Sequence, residues 1–323
     1  MSTGPVVVLG DLNIDALLAI PAYPAPGGDA LATRSGVQPG GSAANTALLL
    51  ARLGQPSRLL ACAGRDAWAE PALRALAQAG VDTQAVQSHP SAPTGLFFIP
   101  VTPDGERTMF GLRGANAQLD PSGVEPALAG AAWLHLSGYA LLEAPQREAA
   151  LRALALARAR GLPISVDVGR FPALQQPELV RGLLPGLAMV ILDLPAARAL
   201  VGPASGPAEA AEALVRAGVG LAALTLGAQG AYLRAGAQTA SQPAYPVDVV
   251  DTTGAGDAFS AGLILAQRRG LSLPAAGALA AALGALAASV WGAGPALPGC
   301  AEVRAFLAGR PEAAEILAAL AAP

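Results

Sequence analysis

Short apolar runs alternate with longer Ala- and Leu-rich stretches along most of this chain. Val6-Val7-Val8-Leu9 is the first such run, and its β-branched residues predict a strand. Similar runs at Ser57 to Ala63, Ala131 to Leu136, Pro163 to Val168, Met189 to Leu192, Leu221 to Leu226 and Ala231 to Arg234 predict further core strands. Helices are predicted at Leu48 to Leu53, Trp68 to Ala79, Pro145 to Ala159, Pro195 to Val201, Pro207 to Ala217 and Ala258 to Arg269. Leu271 to Val290 is the most apolar stretch, but Pro274 and its glycines favour a buried helix over a membrane span. Strands alternating with helices indicate an α/β fold, doubly wound, with a mostly parallel sheet and helices on both faces.

Two regions break the alternation. Residues 16–37 carry Pro21, Pro24, Pro26, Gly27 and Gly28, which exclude a crossover helix. Leu17 to Ile20 and Ala30 to Arg34 read as short strands there. Further on, Gly95 to Val101 and Thr108 to Leu112 flank Thr102-Pro103-Asp104-Gly105-Glu106, a hairpin with an Asp-Gly turn. Residues 16–37 and 95–112 are therefore placed together in a small β-sheet lid inserted in a single domain, 1–323. Tyr245 to Val250 reads as a strand end.

Composition narrows the function. With 53% hydrophobic residues over 323 positions, a large core is easily filled. A net charge of -3 and scattered Lys and Arg argue against a nucleic-acid partner. Two cysteines and two histidines provide neither a disulfide framework nor a His-rich metal site. His135 lies within an apolar run and reads as a core residue. The polar start Met1-Ser2-Thr3 lacks the basic region of a signal peptide, so a cytoplasmic protein is expected, without a membrane partner.

The candidate chemistry centres on Asp251-Thr252-Thr253-Gly254-Ala255-Gly256-Asp257, a glycine turn leading into a helix. Unpaired N–H groups at a helix start attract anions. Asp257 at the same mouth is a carboxylate able to accept a hydroxyl proton. Together these groups suit phosphoryl transfer to an alcohol. A bare G-x-G-D also fits a plain turn with a capping Asp, so the rest of the chain decides. Gly10-Asp11-Leu12-Asn13-Ile14-Asp15 follows the first strand and provides groups that bind sugar hydroxyls. Gly40-Gly41-Ser42-Ala43-Ala44-Asn45 is a second glycine turn, whose Gly-Gly pair suits close approach of a ligand. Asn45 sits four residues past Gly41, facing the same mouth. Leu224-Thr225-Leu226-Gly227-Ala228-Gln229-Gly230 is a third strand end opening onto glycines.

Taken together, these segments resemble the ribokinase, or PfkB, family of carbohydrate kinases. Gly40 to Asn45 with Ala51-Arg52-Leu53-Gly54 is similar to its N-terminal signature, and Asp251 to Phe259 to its C-terminal one. Gly80-Val81-Asp82-Thr83, Gly105-Glu106-Arg107, Gly114-Ala115-Asn116 and Thr225 to Gly230 fall in the family's order between them. The resemblance covers roughly residues 5–298. It implies transfer of the ATP γ-phosphoryl group to a primary hydroxyl of a sugar or sugar derivative, with Mg²⁺. Asp257 would be the base, with the amides of Gly254, Ala255 and Gly256 as the anion hole. Asn13, Asp15, Gly41, Ser42 and Asn45 would bind the acceptor, and Thr225, Gly227 and Gly230 the nucleotide. Many members hold a monovalent cation such as K⁺. Asp251 and Thr253 match part of that site, with Ser289, Gly292 and Gly294 as looser matches. The lid would serve as a homodimer interface.

Two departures from the family pattern stand out. Its Asn-x-x-Glu motif, which organises Mg²⁺, aligns with Asp193-Leu194-Pro195-Ala196. Asp193 would hold a metal-bound water, and the Glu is missing. Ser42 replaces the Lys of typical ribokinases, which does not favour ribose itself. Arg113 and Arg170 would suit an acidic sugar, or else serve as surface ion-pair residues. A nucleoside acceptor would need stacking surfaces, and aromatics are 4% of the chain, with Phe97, Phe98, Phe110 and Tyr139 near the lid. A nucleoside kinase is thus the alternative within the family. A non-catalytic sugar or nucleotide sensor is the alternative outside it.

Overall fold

The computed structural model describes residues 4–202 and 206–321. Among these residues the chain forms fourteen strands. In order they are β1 (Val6–Leu9), β2 (Asn13–Ala19), β3 (Arg34–Gly40), β4 (Ser57–Leu60), β5 (Cys62–Gly64), β6 (Gln87–His89) and β7 (Gly95–Val101). There follow β8 (Phe110–Leu112), β9 (Trp133–Ser137), β10 (Ile164–Asp167), β11 (Met189–Asp193), β12 (Leu221–Thr225), β13 (Ala231–Ala235) and β14 (Gln238–Gln242). An eight-stranded sheet runs β14-β13-β12-β11-β10-β9-β1-β4. Strands β4 to β12 along that order are parallel, and β13 and β14 form an antiparallel edge.

The apolar runs are continuous because both faces of this sheet are covered. Val6 and Val8 point into one core, with the helices Ser42–Arg52, Ala255–Arg269 and Leu273–Ala288. Val7 and Leu9 point into the other, with Gln146–Ala159, Leu194–Val201 and Pro207–Arg216. Met189 and Ile191 divide from Val190 and Leu192 in the same way. The doubly wound α/β expectation thus holds. The apolar stretch near 271–290 is a buried helix capped by Ser272, and no described helix is long and apolar enough to cross a membrane.

The smaller sheet expected as the lid has the order β3-β2-β7-β8. Leu17, Ile99 and Val101 form its own small core. Its boundaries differ from expectation. β2 begins at Asn13, so Asn13 and Asp15 lie on a lid strand and not in a turn. β3 spans Arg34–Gly40, whereas Ala30 to Thr33 form no strand. The exposed, Pro- and Gly-rich stretch before Arg34 offers little ladder, and Thr33 N donates to Ala19 O at 2.9 Å just ahead of β3.

Two further corrections concern strands. Ser57 to Ala63 is not one strand. The main sheet keeps β4, and after Ala61 the chain turns away so that β5 pairs with β6. Tyr245 to Val250 is not a strand end, since Pro243 and Pro246 lack ladder donors. Tyr245 instead donates to Glu312 Oε1 at 2.6 Å and packs edge-on against Phe306. His135 is a buried core residue on β9, with Nδ1 2.8 Å from Ser165 Oγ, and burial pushes its pKa down to about 3.

Candidate active site

A cavity of about 630 Å³ opens between the lid and the C-terminal ends of the parallel strands. Asp15 and Phe97 reach it from the inner face of the lid, and Asp167, Asp193 and Thr225 from the ends of β10, β11 and β12. Asp257 enters from the start of the helix Ala255–Arg269. The first-strand, second-glycine-turn and third-glycine-turn segments thus meet the Asp257 turn at one mouth.

That turn is built by its glycines. Gly254 caps the helix in the left-handed region at φ 80°, and a Cβ there would press on Ala293. At Gly256 a Cβ would meet nothing within 4 Å, so the helix start is open to the cavity. Of the three amides expected to hold an anion, Ala255 N–H already donates to Thr252 O at 3.3 Å. Asn45 Nδ2 donates to Asp257 Oδ2 at 2.8 Å, and Asn45 Oδ1 accepts from Gly294 N at 3.1 Å. Both ends of this amide, 2% exposed, are therefore engaged in holding Asp257. Burial pushes the Asp257 pKa up to about 6, against hydrogen bonds from Asn45 and Ser42 and the charge of Arg107. A carboxyl poised there is ionised at neutral pH yet basic enough to take a proton.

Two more carboxyls share the cavity. Asp15 is raised to about 7 by burial and by the charges of Asp257 and Asp251. Asp167 is raised to about 7 by burial and by Asp257, while Ser260 Oγ donates to it at 2.8 Å. Asn13 Oδ1 accepts from Asn116 Nδ2 at 2.6 Å, which turns its own amide N–H₂ to other partners. The Gly-Gly pair also has a cause inside the fold, while Gly41 lines the cavity. A Cβ at Gly40 would sit 1.9 Å from Asp15 Oδ2, and one at Gly41 2.5 Å from Asp11 O.

Several expected residues lie elsewhere or are already engaged. Arg113 pairs with Asp11 at 3.0 Å, and also binds Glu143 and Gln146, and it does not line the cavity. Gly227 and Gly230 form the turn after Thr225 without lining the cavity. Gly230 is needed where a Cβ would stand 2.0 Å from Gln242 O. Ser289 Oγ donates to Leu286 O, at the end of its own helix. Asp251 is fully buried. Its Oδ1 accepts from Thr253 N and Oγ1 at 2.9 and 2.7 Å, and Oδ2 from Gly292 N at 2.9 Å. No ion pair balances it among the described residues, so a cation beside it fits the charge. Of the aromatic candidates, Phe97 and Tyr139 line the cavity, whereas Phe98 and Phe110 are exposed on the lid's outer face.

Sequence reasoning named Asp167 and Arg107 only as parts of longer segments. Arg107 lies at the lid hairpin, where Nη1 donates to Thr252 Oγ1 at 2.6 Å. Its buried Nε has no hydrogen-bond partner among the described residues. Its place just after the Asp-Gly turn was the available signal.

Sequence comparison decides the family. The profile of the pfkB family carbohydrate kinases matches residues 4–300. The chain belongs to the pfkB family. It is a carbohydrate kinase, a phosphotransferase with an alcohol acceptor. A ribokinase from Haemophilus influenzae is 28% identical over 306 residues, covering 94% of this chain and 98% of its own. A fructokinase from Klebsiella pneumoniae is 31% identical over 308 residues, covering 91% and 96%. The structure of an Arabidopsis thaliana ribokinase complexed with ribose and ATP superposes with a TM-score of 0.79 at 26% identity, covering 94% of this chain and 99% of that one. The pfkB resemblance carried by the two glycine signatures therefore holds, and so does the ribokinase-like fold.

Proposed function

We propose that this carbohydrate kinase transfers the ATP γ-phosphoryl group to a hydroxymethyl group of a sugar or sugar derivative, in the cytoplasm. The observation that carries the reading is Asp257, held by Asn45 at the open start of a helix and raised to about 6. Asp257 accepts the proton of the attacking hydroxyl. Asn13 and Asp15, on the inner lid face, orient the acceptor's hydroxyls, while Gly41 and Ser42 shape the adjoining turn. The amides at Gly254 and Gly256 receive the negative charge of the transferring group. ATP bound with Mg²⁺ supplies the phosphoryl group and divalent charge. Thr225, with the Gly227 and Gly230 turn behind it, borders the nucleotide end. Asp251, with Thr253, Gly292 and Gly294 beside it, would hold a monovalent cation such as K⁺, which would balance the buried carboxylate.

Asp257→Asn tests this reading. It should keep the fold and lower kcat by at least ~10²-fold, the scale of general-base loss. Full activity would reject the base. ADP release that depends on an added sugar rejects the sensor reading. Phe97 and Tyr139 in the cavity favour the nucleoside alternative. A thermal-shift panel of sugars, sugar acids and nucleosides separates the two, since stabilisation by nucleosides alone would reject the sugar. The lid's outer face carries a cross-strand apolar row, Val37, Ala16, Phe98 and Phe110, of which Val37, Phe98 and Phe110 are exposed. This row supports a homodimer through the lid.

A further inference from the structure

Arg170 and Asp193 form an ion pair on the cavity wall, with Arg170 Nε donating to Asp193 Oδ2 at 2.8 Å. The other oxygen, Asp193 Oδ1, accepts from Ala196 N at 2.7 Å and caps the helix Leu194–Val201. The Asp-x-x-Ala spacing is that of a capping box whose second half is missing. Ala196 is fully buried and offers no carboxylate. Each Asp193 oxygen thus has one partner in the fold, and its charge is paired with the guanidinium of Arg170. This wall presents a cation to the cavity.

The sheet fixes where that cation stands. Asp193 lies opposite Thr225 on β12, and on its other side β11 pairs with β10, which ends at Asp167. Asp167 is in turn next to the helix of Asp257, through Ser260. A line thus runs from Asp257 past Asp167 and Asp193 to Thr225. On the kinase reading, a nucleotide reaching from Thr225 to Asp257 would lay its phosphates along this line, past Arg170. The Arg170 side chain is 61% exposed, and an ion pair that open adds little stability. Nε is taken by Asp193, which leaves the Nη1 and Nη2 donors of the planar fork for another anion.

We propose that Arg170, oriented by Asp193, binds the β- and γ-phosphate oxygens of the nucleotide, and that Asp193 is its positioning residue. A fixed guanidinium then provides part of the charge neutralisation at the wall where an acid pair is absent. The inference rests on the kinase reading above.

The test is calorimetric binding of AMP-PNP with Mg²⁺, and of AMP, to wild type, Arg170→Ala, Arg170→Lys and Asp193→Asn, all without acceptor. Arg170→Ala should weaken AMP-PNP by about 10- to 100-fold, the scale of losing a charged hydrogen-bond partner, and leave AMP within about twofold. Arg170→Lys should recover part of the loss. Asp193→Asn keeps a capping oxygen but loses the charge, and should fall between wild type and Arg170→Ala. Equal AMP-PNP affinity in wild type and Arg170→Ala overturns the proposal. So does a raised KM for an acidic acceptor with unchanged nucleotide binding, which would place Arg170 in the acceptor subsite. Wild type that binds AMP-PNP but releases no ADP with any acceptor would reject the kinase reading alone, and wild type that binds no AMP-PNP would reject both.

Discussion

Asn45 bridges the two glycine signatures: its amide N–H₂ donates to Asp257 at 2.8 Å, and its carbonyl accepts from Gly294 N at 3.1 Å. The residues are 212 apart in sequence. This bond favours the ionised carboxylate, and it works against the burial that raises Asp257 to about 6. Asn45→Ala should therefore move the acid limb of the kcat/KM profile to higher pH as well as lower kcat. In wild type the limb should fall off below about pH 6, because a protonated base cannot accept the hydroxyl proton. A pH–rate profile checks both, and an acid limb that stays in place in Asn45→Ala would remove this role.

Asp15 predicts a pH dependence of stability. Its carboxyl is 4% exposed and titrates near 7 in the fold, against 3.8 as its ordinary value. The folded state therefore keeps a proton that the unfolded chain has lost between about pH 4 and 7. Stability from this group is full below about pH 4, declines as pH rises towards 7 and is flat above. Asp15→Asn removes the buried charge, so it should raise Tm more at pH 8 than at pH 5. Thermal melts at the two values decide it, and an equal effect at both would contradict the raised pKa.

The lid's outer row makes a separate prediction. Phe110 is 58% exposed and lies directly across from Phe98. If this row is the dimer face, Phe110→Asp places a charge in its middle and should yield monomers by light scattering at a concentration where wild type is dimeric. Monomeric wild type at high concentration would remove the lid interface.

The central sheet was legible because burial on both faces leaves a plain record. Val6 to Leu9 and Met189 to Leu192 are apolar at every position, whichever core each side chain enters. The lid was harder to read. Asn13 and Asp15 interrupt the apolar pattern of β2 because its inner face is part of the cavity wall. Arg34–Gly40 carries two glycines and a proline, and its pairing is set by β2. Within the site, Asp257 and its glycines were legible as one contiguous motif. Long-range partners were not. Nothing local to Arg113 announces Asp11, 102 residues away, and nothing local to Gly40 announces the Asp15 carboxylate against it.

Gly256 separates the anion site from the fold. A Cβ there meets no atom within 4 Å, the backbone is helical, and the residue lines the cavity. Alanine is the better helix former, by roughly 0.5–1 kcal/mol, so Gly256→Ala should leave Tm unchanged or slightly raised. Its methyl group would nonetheless stand where the transferring phosphoryl group approaches the helix start. Misplacing reacting groups by about 1 Å lowers rates by up to about 100-fold, so kcat/KM for ATP should fall by about tenfold or more. Acceptor binding, measured by thermal shift without nucleotide, should stay as in wild type, because Asn13 and Asp15 lie on the lid and not on this helix. A variant with normal Tm and normal turnover would mean that phosphate does not pass over Gly256, and the anion site would have to be sought at another strand end.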